Sequence, residues 1–229
     1  MKADKELCTQ LNKEISSKGL AKFTWGNASI LHDDCIIIKP SGVPFESLEP
    51  SLLSVIDLKT GKHLDGLKPS VDADIHLSIY RHDSDARSVM HTHSKFATTF
   101  AQAKKPIPML GTTHADYFPC SIPVTKQISL KNLDESMEFK MGQEVMRTSQ
   151  KHYPPECLTK AVLMCSHGVM VWNNNPEKLV EAAIVLEEIA EMAYGALSIN
   201  SNLAVNSNDR LIFDYHYNRK HGVTRYYGQ

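Results

Sequence analysis

The sequence predicts one α/β domain across residues 1–229. Three observations carry that class. Short apolar runs ending at Gly, Pro or His cluster in the first three-quarters of the chain. Stretches with helical periodicity interleave with them, and an Ala-, Glu-, Leu- and Ile-rich segment near the end has the length of a long helix. A chain of 229 residues buries a substantial core. Periodicity alone leaves the order of the strands open.

Leu7, Leu11 and Ile15 recur every four residues and the run stops at Gly19, an amphipathic first helix with a glycine cap. "CIIIKPSG" follows a two-aspartate turn and reads as a buried strand that ends in a Pro-Ser-Gly loop. "LLSVIDLKTGKHL" reads as a hairpin turning at Thr60-Gly61. Residues 73–82 have helical spacing, with Ile75 and Ile79 on one side. "RSVMHTH" predicts a strand and "SKFATTFAQA" a helix capped by Ser94. "AVLMCSHGVMVW" predicts two short strands broken at His167-Gly168. The long helix runs from about Pro176 to Leu197, with proline in its first turn.

Charge is balanced, 25 Lys+Arg against 26 Asp+Glu, so no strong field recruits nucleic acid or an anionic membrane. "MKADKELCTQLNKEISSKG" lacks the apolar run of a signal peptide, and no apolar stretch reaches membrane-spanning length. Five cysteines without a CxxC pair favour reduced thiols over disulfides or a cysteine-based zinc site, and together these features lead us to expect a cytoplasmic protein. No internal repeat is present.

The chemistry concentrates in "VMHTHS". His91 and His93 share one face of a strand, about 7 Å apart along the backbone, and at the strand's end both rings can converge on one metal ion. A surface histidine beside a loop-capping one is the simpler alternative. His167 has a similar setting, after the apolar "AVLMC" and before Gly168, whose missing side chain permits close approach. Asp72 is either the N-cap of the helix at residues 73–82 or a fourth ligand, and His76, one turn on, competes with it. Three imidazoles and a carboxylate suit Zn²⁺ or another divalent first-row ion. His32, His63, His82, His152 and His221 stand in polar surroundings and read as solvated. A zinc hydrolase would need a general base such as an HExxH glutamate, which the sequence lacks.

Six motifs in order, "TWGNAS", "KPSG", "HTHS", "GTTHADYF", "SHG" and "RKHGVTRYYGQ", resemble the L-ribulose-5-phosphate 4-epimerases of the class II aldolase/adducin family. The resemblance runs from about residue 5 to the last residue. It implies a central, mostly antiparallel β-sheet flanked by helices, and a homotetramer with active sites between subunits. It also implies one zinc per subunit, held by residues matching Asp72, His91, His93 and His167. The implied substrate is a sugar phosphate, L-ribulose 5-phosphate, exchanged with D-xylulose 5-phosphate by retro-aldol cleavage and re-addition at C3–C4. A divalent ion is the Lewis acid of that chemistry, so no lysine Schiff base is needed.

The same resemblance assigns proton transfer to Asp116 and to Tyr227, the latter from the adjacent subunit, and an active-site place to His216. Read without it, Asp116 is a turn aspartate, Tyr227 a chain end and His216 an interface or core residue. Asn27, Lys39, Ser41, Gly42 and Ser70 match the phosphate-site positions. Two positions depart from the epimerase pattern: Val71 stands where those enzymes carry a second serine, and Asp74 where they carry proline. The nearest alternative is a family aldolase acting on fuculose or rhamnulose 1-phosphate, which places glutamate where this chain has Asp72. A non-enzymatic adducin-like module would lack the metal ligands retained here.

Overall fold

In a computed structural model, residues 1–129, 135–222, 225 and 226 are described. Seven strands form one sheet: β1 (Asn27–His32), β2 (Cys35–Ile38), β3 (Ser54–Asp57), β4 (His63–Asp65), β5 (Ser88–Thr92), β6 (Thr159–Leu163) and β7 (Val169–Asn173). Their order is β4-β3-β2-β1-β5-β7-β6, and every neighbouring pair is antiparallel. The helices are α1 (Lys2–Ser17), α2 (Ala73–His82), α3 (Lys95–Gln102), α4 (Thr112–Ala115), α5 (Met137–His152), α6 (Leu179–Ile199) and α7 (Ser207–His221).

Both faces of the sheet are covered, which is why its strands read as continuous apolar runs. In β2, Ile37 packs with α1, α3 and α6 on one face, whereas Ile36 and Ile38 pack with α2 and α5 on the other. Alternation then sorts the neighbours: Ala28, Ile30 and Met90 join the first core, Val89, Met170 and Trp172 the second. No described helix is long and apolar enough to cross a membrane.

The expected elements form. Helix α1 ends with Gly19 at φ 73°, its N–H on Ser16 O and the Leu20 N–H on Ile15 O, the paired bonds of a Schellman cap. The Thr60-Gly61 hairpin is pinned by the Asp57 carboxylate, which accepts from the Thr60 N–H and hydroxyl, each at 2.6 Å. The long helix begins with a 3-10 turn at Pro176–Lys178.

Three elements escape the sequence pattern. Strand β1 carries buried Asn27 and Ser29 where a core strand would be apolar. Helix α5, with Met141, Val145 and Met146 on one buried face, was not among the expected elements, and α7 buries Phe213 and little else. Ser94 occupies the N-cap position of α3, but its side chain makes no capping bond. Glu187 of α6 does that work across space, accepting from the N–H groups of Phe96 and Ala97 at 2.7 and 3.0 Å. Glu187→Ala is therefore expected to lower stability by about 0.5–2 kcal/mol in urea denaturation, the usual worth of an N-cap, with Glu187→Gln milder. An unchanged midpoint in Glu187→Ala would show that the cap is dispensable.

Candidate active site

Strand β5 ends where the β6–β7 hairpin turns, and this junction brings three histidines together. His91 pairs with Asn27 of β1 on one side and Met170 of β7 on the other, so its ring is held at the centre of the sheet. His167 sits on the hairpin turn, after Ser166 at φ 62° and a Met164 N–H bond to Gly168 O. A Cβ on Gly168 would stand 2.6 Å from Thr92 O and 2.9 Å from His91 Cε1. Glycine there lets the turn close on the neighbouring strand.

His91 Nδ1 donates to Val169 O at 3.0 Å, which leaves the Nε2 lone pair facing the cluster. His91 Nε2 lies 3.0 Å from His93 Nε2 and 3.2 Å from His167 Nε2. Ligands about 2.0–2.1 Å from a tetrahedral zinc are themselves about 3.3 Å apart, so the three nitrogens fit one ion. Burial first, and then its imidazole neighbours, push His93 down to about 4. His167 is lowered for the same reasons. Both are neutral at physiological pH, the form that binds metal.

Asp72 does not cap α2: its side chain makes no capping bond there. The carboxylate instead accepts from Asn27 Nδ2 at 2.7 Å and Ser70 Oγ at 3.3 Å. Burial works to raise this carboxyl, but the neighbouring His91, the Asn27 hydrogen bond, His76 and His167 outweigh it and hold it below its ordinary value. Asp72 thus lies beside the imidazole cluster, which itself consists of His91, His93 and His167. His76 is fully buried and its imidazole is pushed down chiefly by that burial.

A Pro40–Pro69 bridge lays the "KPSG" loop against Ser70. Lys39 is only 2 % exposed, its ammonium 5.0 Å from the Phe45 ring centroid, and burial lowers its pKa against the opposing pull of Asp72. Gly42 has φ 71° with open space where a Cβ would stand, whereas the Ser41 N–H is taken by Lys68 O. Val71 is 64 % exposed, and Asp74 accepts from Ser136 Oγ at 3.0 Å.

Asp116 belongs to a second constellation. It follows α4 and meets α7: His216 Nδ1 is 3.1 Å from Oδ1, and Arg219 Nη2 reaches both oxygens at 3.2 and 3.3 Å. His221 Nε2 donates to its carbonyl at 2.9 Å, so that exposed histidine has a defined partner. Tyr227 lies outside the described residues.

The Class II Aldolase and Adducin N-terminal domain matches residues 6–194. The chain belongs to the class II aldolase and adducin family. A relative 38 % identical over 98 % of this chain and 94 % of its own length is the probable L-ribulose-5-phosphate 4-epimerase UlaF of Mycoplasma pneumoniae. An L-fuculose 1-phosphate aldolase structure superposes with a TM-score of 0.80 at 19 % identity, covering 95 % of this chain and 97 % of that one. YgbL from Escherichia coli, a putative aldolase/epimerase/decarboxylase, gives 0.74 at 20 % identity, covering 93 % and 98 %. At these identities the two structures speak for the class II aldolase fold alone.

Two neighbours of the site have no assigned part in the sequence reading. Arg219 sits three residues after His216, the spacing that puts both on one helix face, and that spacing was legible once the segment is taken as a helix. Trp25, in "TWGNAS", lies 6.1 Å from the His93 ring, and nothing in the sequence spacing points to it.

His114 anchors the segment before Asp116. It is 4 % exposed and its Nε2 donates to Cys120 O at 3.0 Å. Burial pushes it down to about 4. The unfolded chain therefore takes up this proton first, so the stabilisation is full above about pH 6.5 and is lost as pH falls through about 4. The loss is on the order of 3 kcal/mol, and His114→Gln should flatten that part of the stability–pH curve. Urea midpoints of both proteins between pH 7 and pH 4 test this, and parallel curves would contradict it.

Proposed function

We propose that this chain is a zinc-dependent L-ribulose-5-phosphate 4-epimerase, interconverting that sugar phosphate with D-xylulose 5-phosphate. The observation that carries the proposal is the convergence of three imidazole nitrogens beside a carboxylate, Asp72, held by Asn27 and Ser70. The 38 % identical relative, a probable epimerase by name, supports the substrate. Aspartate at position 72, where the family's aldolases place glutamate, supports epimerisation over net cleavage.

His91, His93, His167 and Asp72 would hold the ion, which supplies Lewis-acid stabilisation of the charge that develops when the carbon–carbon bond breaks. C4 of the substrate bears no acidic hydrogen, so its inversion proceeds through the bond to C3. The C4 hydroxyl gives its proton to a side chain, C4 becomes an aldehyde, and the C3–C4 electron pair stays on the ketose fragment as an enediolate. The aldehyde rotates, C3 attacks its other face, and a second side chain protonates the new alkoxide. Asp116 and Tyr227 are the two carriers, one for each face. Arg219 and His216 hold the Asp116 carboxylate in place. Asn27, Ser41, Gly42 and Ser70 surround the phosphate, and Lys39 offers the cation.

In this reading residues 1–229 act as one domain of a cytoplasmic homotetramer, with each site completed by a neighbouring subunit.

Conversion of L-ribulose 5-phosphate followed by NMR tests the activity. Chelation or His93→Ala should abolish turnover, because Lewis-acid stabilisation is worth several kcal/mol. Full activity in metal-free protein would overturn the proposal. For the shared site, Asp116→Asn and Tyr227→Phe should each be nearly inactive alone. Refolded together at random they should recover about a quarter of wild-type sites, those that pair an intact Asp116 with an intact Tyr227. Zero recovery from a demonstrably mixed tetramer would put both groups in one chain.

A further inference from the structure

The segment that runs into β1 carries two large apolar rings beside the imidazole cluster. Phe23 is 74 % exposed and Trp25 51 %, and their rings meet edge-on, with centroids 5.4 Å apart. Trp25 also stands 6.1 Å from the ring of His93, one of the three convergent imidazoles. Two residues further on, Asn27 bonds to Asp72. Residues 23–27 thus border the candidate metal site with an aromatic outer end and enter it with a polar inner one.

The backbone of this stretch is strained and fixed. The Trp25 N–H bonds to Lys22 O at 3.0 Å, closing a turn whose first corner, Phe23, has φ 57°. Turns with a left-handed first corner favour glycine, asparagine or aspartate, and a bulky aromatic there is an outlier. Gly26, at φ 77°, then passes so close to β5 that a Cβ would meet His91 O at 2.5 Å, which anchors the chain directly after Trp25. Neither ring joins an apolar core. Strain of this kind persists where the surroundings over-determine it, and it collects at binding sites.

We infer that Trp25, braced by Phe23, is a positioning residue for the substrate: the apolar wall that keeps the cleaved aldehyde fragment in place while it turns. The inference deepens the proposed epimerisation and rests on it. Breaking the C3–C4 bond leaves glycolaldehyde phosphate beside the enediolate. An aldolase lets its aldehyde go, whereas an epimerase retains it until the other face meets C3. Should the fragment escape, C3 takes a proton from water and dihydroxyacetone leaves as well. Phosphate contacts hold only the far end of the fragment. An indole face beside it offers contact without acceptors that would fix one rotamer, and it keeps water from the reactive carbon.

Zinc-loaded protein and L-ribulose 5-phosphate test this by NMR, which counts D-xylulose 5-phosphate formed against dihydroxyacetone released. Trp25→Ala should raise the released share about tenfold, and Trp25→Phe should bring it back to within about threefold of wild type. Zinc affinity, read by competition with a chromophoric chelator, should stay within about threefold in both variants, because Trp25 is not a ligand. Acrylamide quenching reads the indole directly, since Trp172, the other tryptophan, is 1 % exposed with its Nε1 on Asp83 Oδ2 at 2.8 Å. The equilibrium mixture of the two pentulose phosphates should about halve the quenching of Trp25. An unchanged released share in Trp25→Ala, or quenching indifferent to the sugar phosphates, overturns the inference and leaves the epimerase standing. So does an indole already shielded without sugar phosphate, which puts it under a neighbouring subunit. A loss of zinc affinity of about tenfold or more in Trp25→Ala also overturns it, making Trp25 a support for His93. Wild-type protein that forms no D-xylulose 5-phosphate overturns the proposed function and this inference together.

Discussion

Two backbones approach His91 more closely than any side chain would allow. Gly26, at φ 77°, would carry a Cβ only 2.5 Å from His91 O, and Gly168 one 2.9 Å from the His91 ring. The first glycine lets β1 enter the sheet against β5; the second lets the β6–β7 turn fold down over the end of the same strand. Such contacts cannot relax, because the atoms met are main chain or a packed ring. The convergence of the imidazoles follows from them: His91 is clamped by sheet pairing on both sides, and His167 arrives on the turn that Gly168 permits to close.

Around that clamp the protein buries an unusual amount of polarity. Asn27, Ser29, Lys39, Asp72 and His76 all lie inside. Each is tolerable only in company, since burying a polar group without a hydrogen bond is expensive. Asn27 and Ser70 bond to Asp72, Ser29 to His76, and the buried Lys39 ammonium sits over Phe45 and feels the opposing charge of Asp72. This explains why β1, the strand beside β5, looks so little like a core strand. Its Asn27 and Ser29 face Asp72 and His76, and Ala28 and Ile30 between them face the other core.

A second group of charges is organised by α7. That helix buries Phe213 and directs His216, Arg219 and His221 at Asp116. Asp116 is held from its own side by α4, its N–H on Thr112 O, while the buried His114 bonds to Cys120 O further on. Two constellations, one on the sheet and one between helices, thus meet different requirements: the first needs rigid, converging lone pairs, the second a carboxylate in fixed orientation.

The sequence by itself determined what local physics controls. Apolar runs bounded by Gly and Pro placed β2, β5 and the β6–β7 pair; periodicity placed α1, α2 and α6; the HxH spacing put His91 and His93 on one face. Family resemblance in the motifs, and not composition, supplied the antiparallel sheet and the expected roles of the site residues. Tertiary structure decided what depends on residues far apart in the chain. Asp72 stands at an N-cap position, yet it is claimed by Asn27, 45 residues away, and leaves the cap unmade. Ser94 likewise stands where a cap belongs, and Glu187 replaces it by bonding Ala97 from 90 residues downstream. A hydrogen bond between distant segments competes on equal terms with a local one once both are brought into a dry interior, and sequence spacing carries no record of that competition.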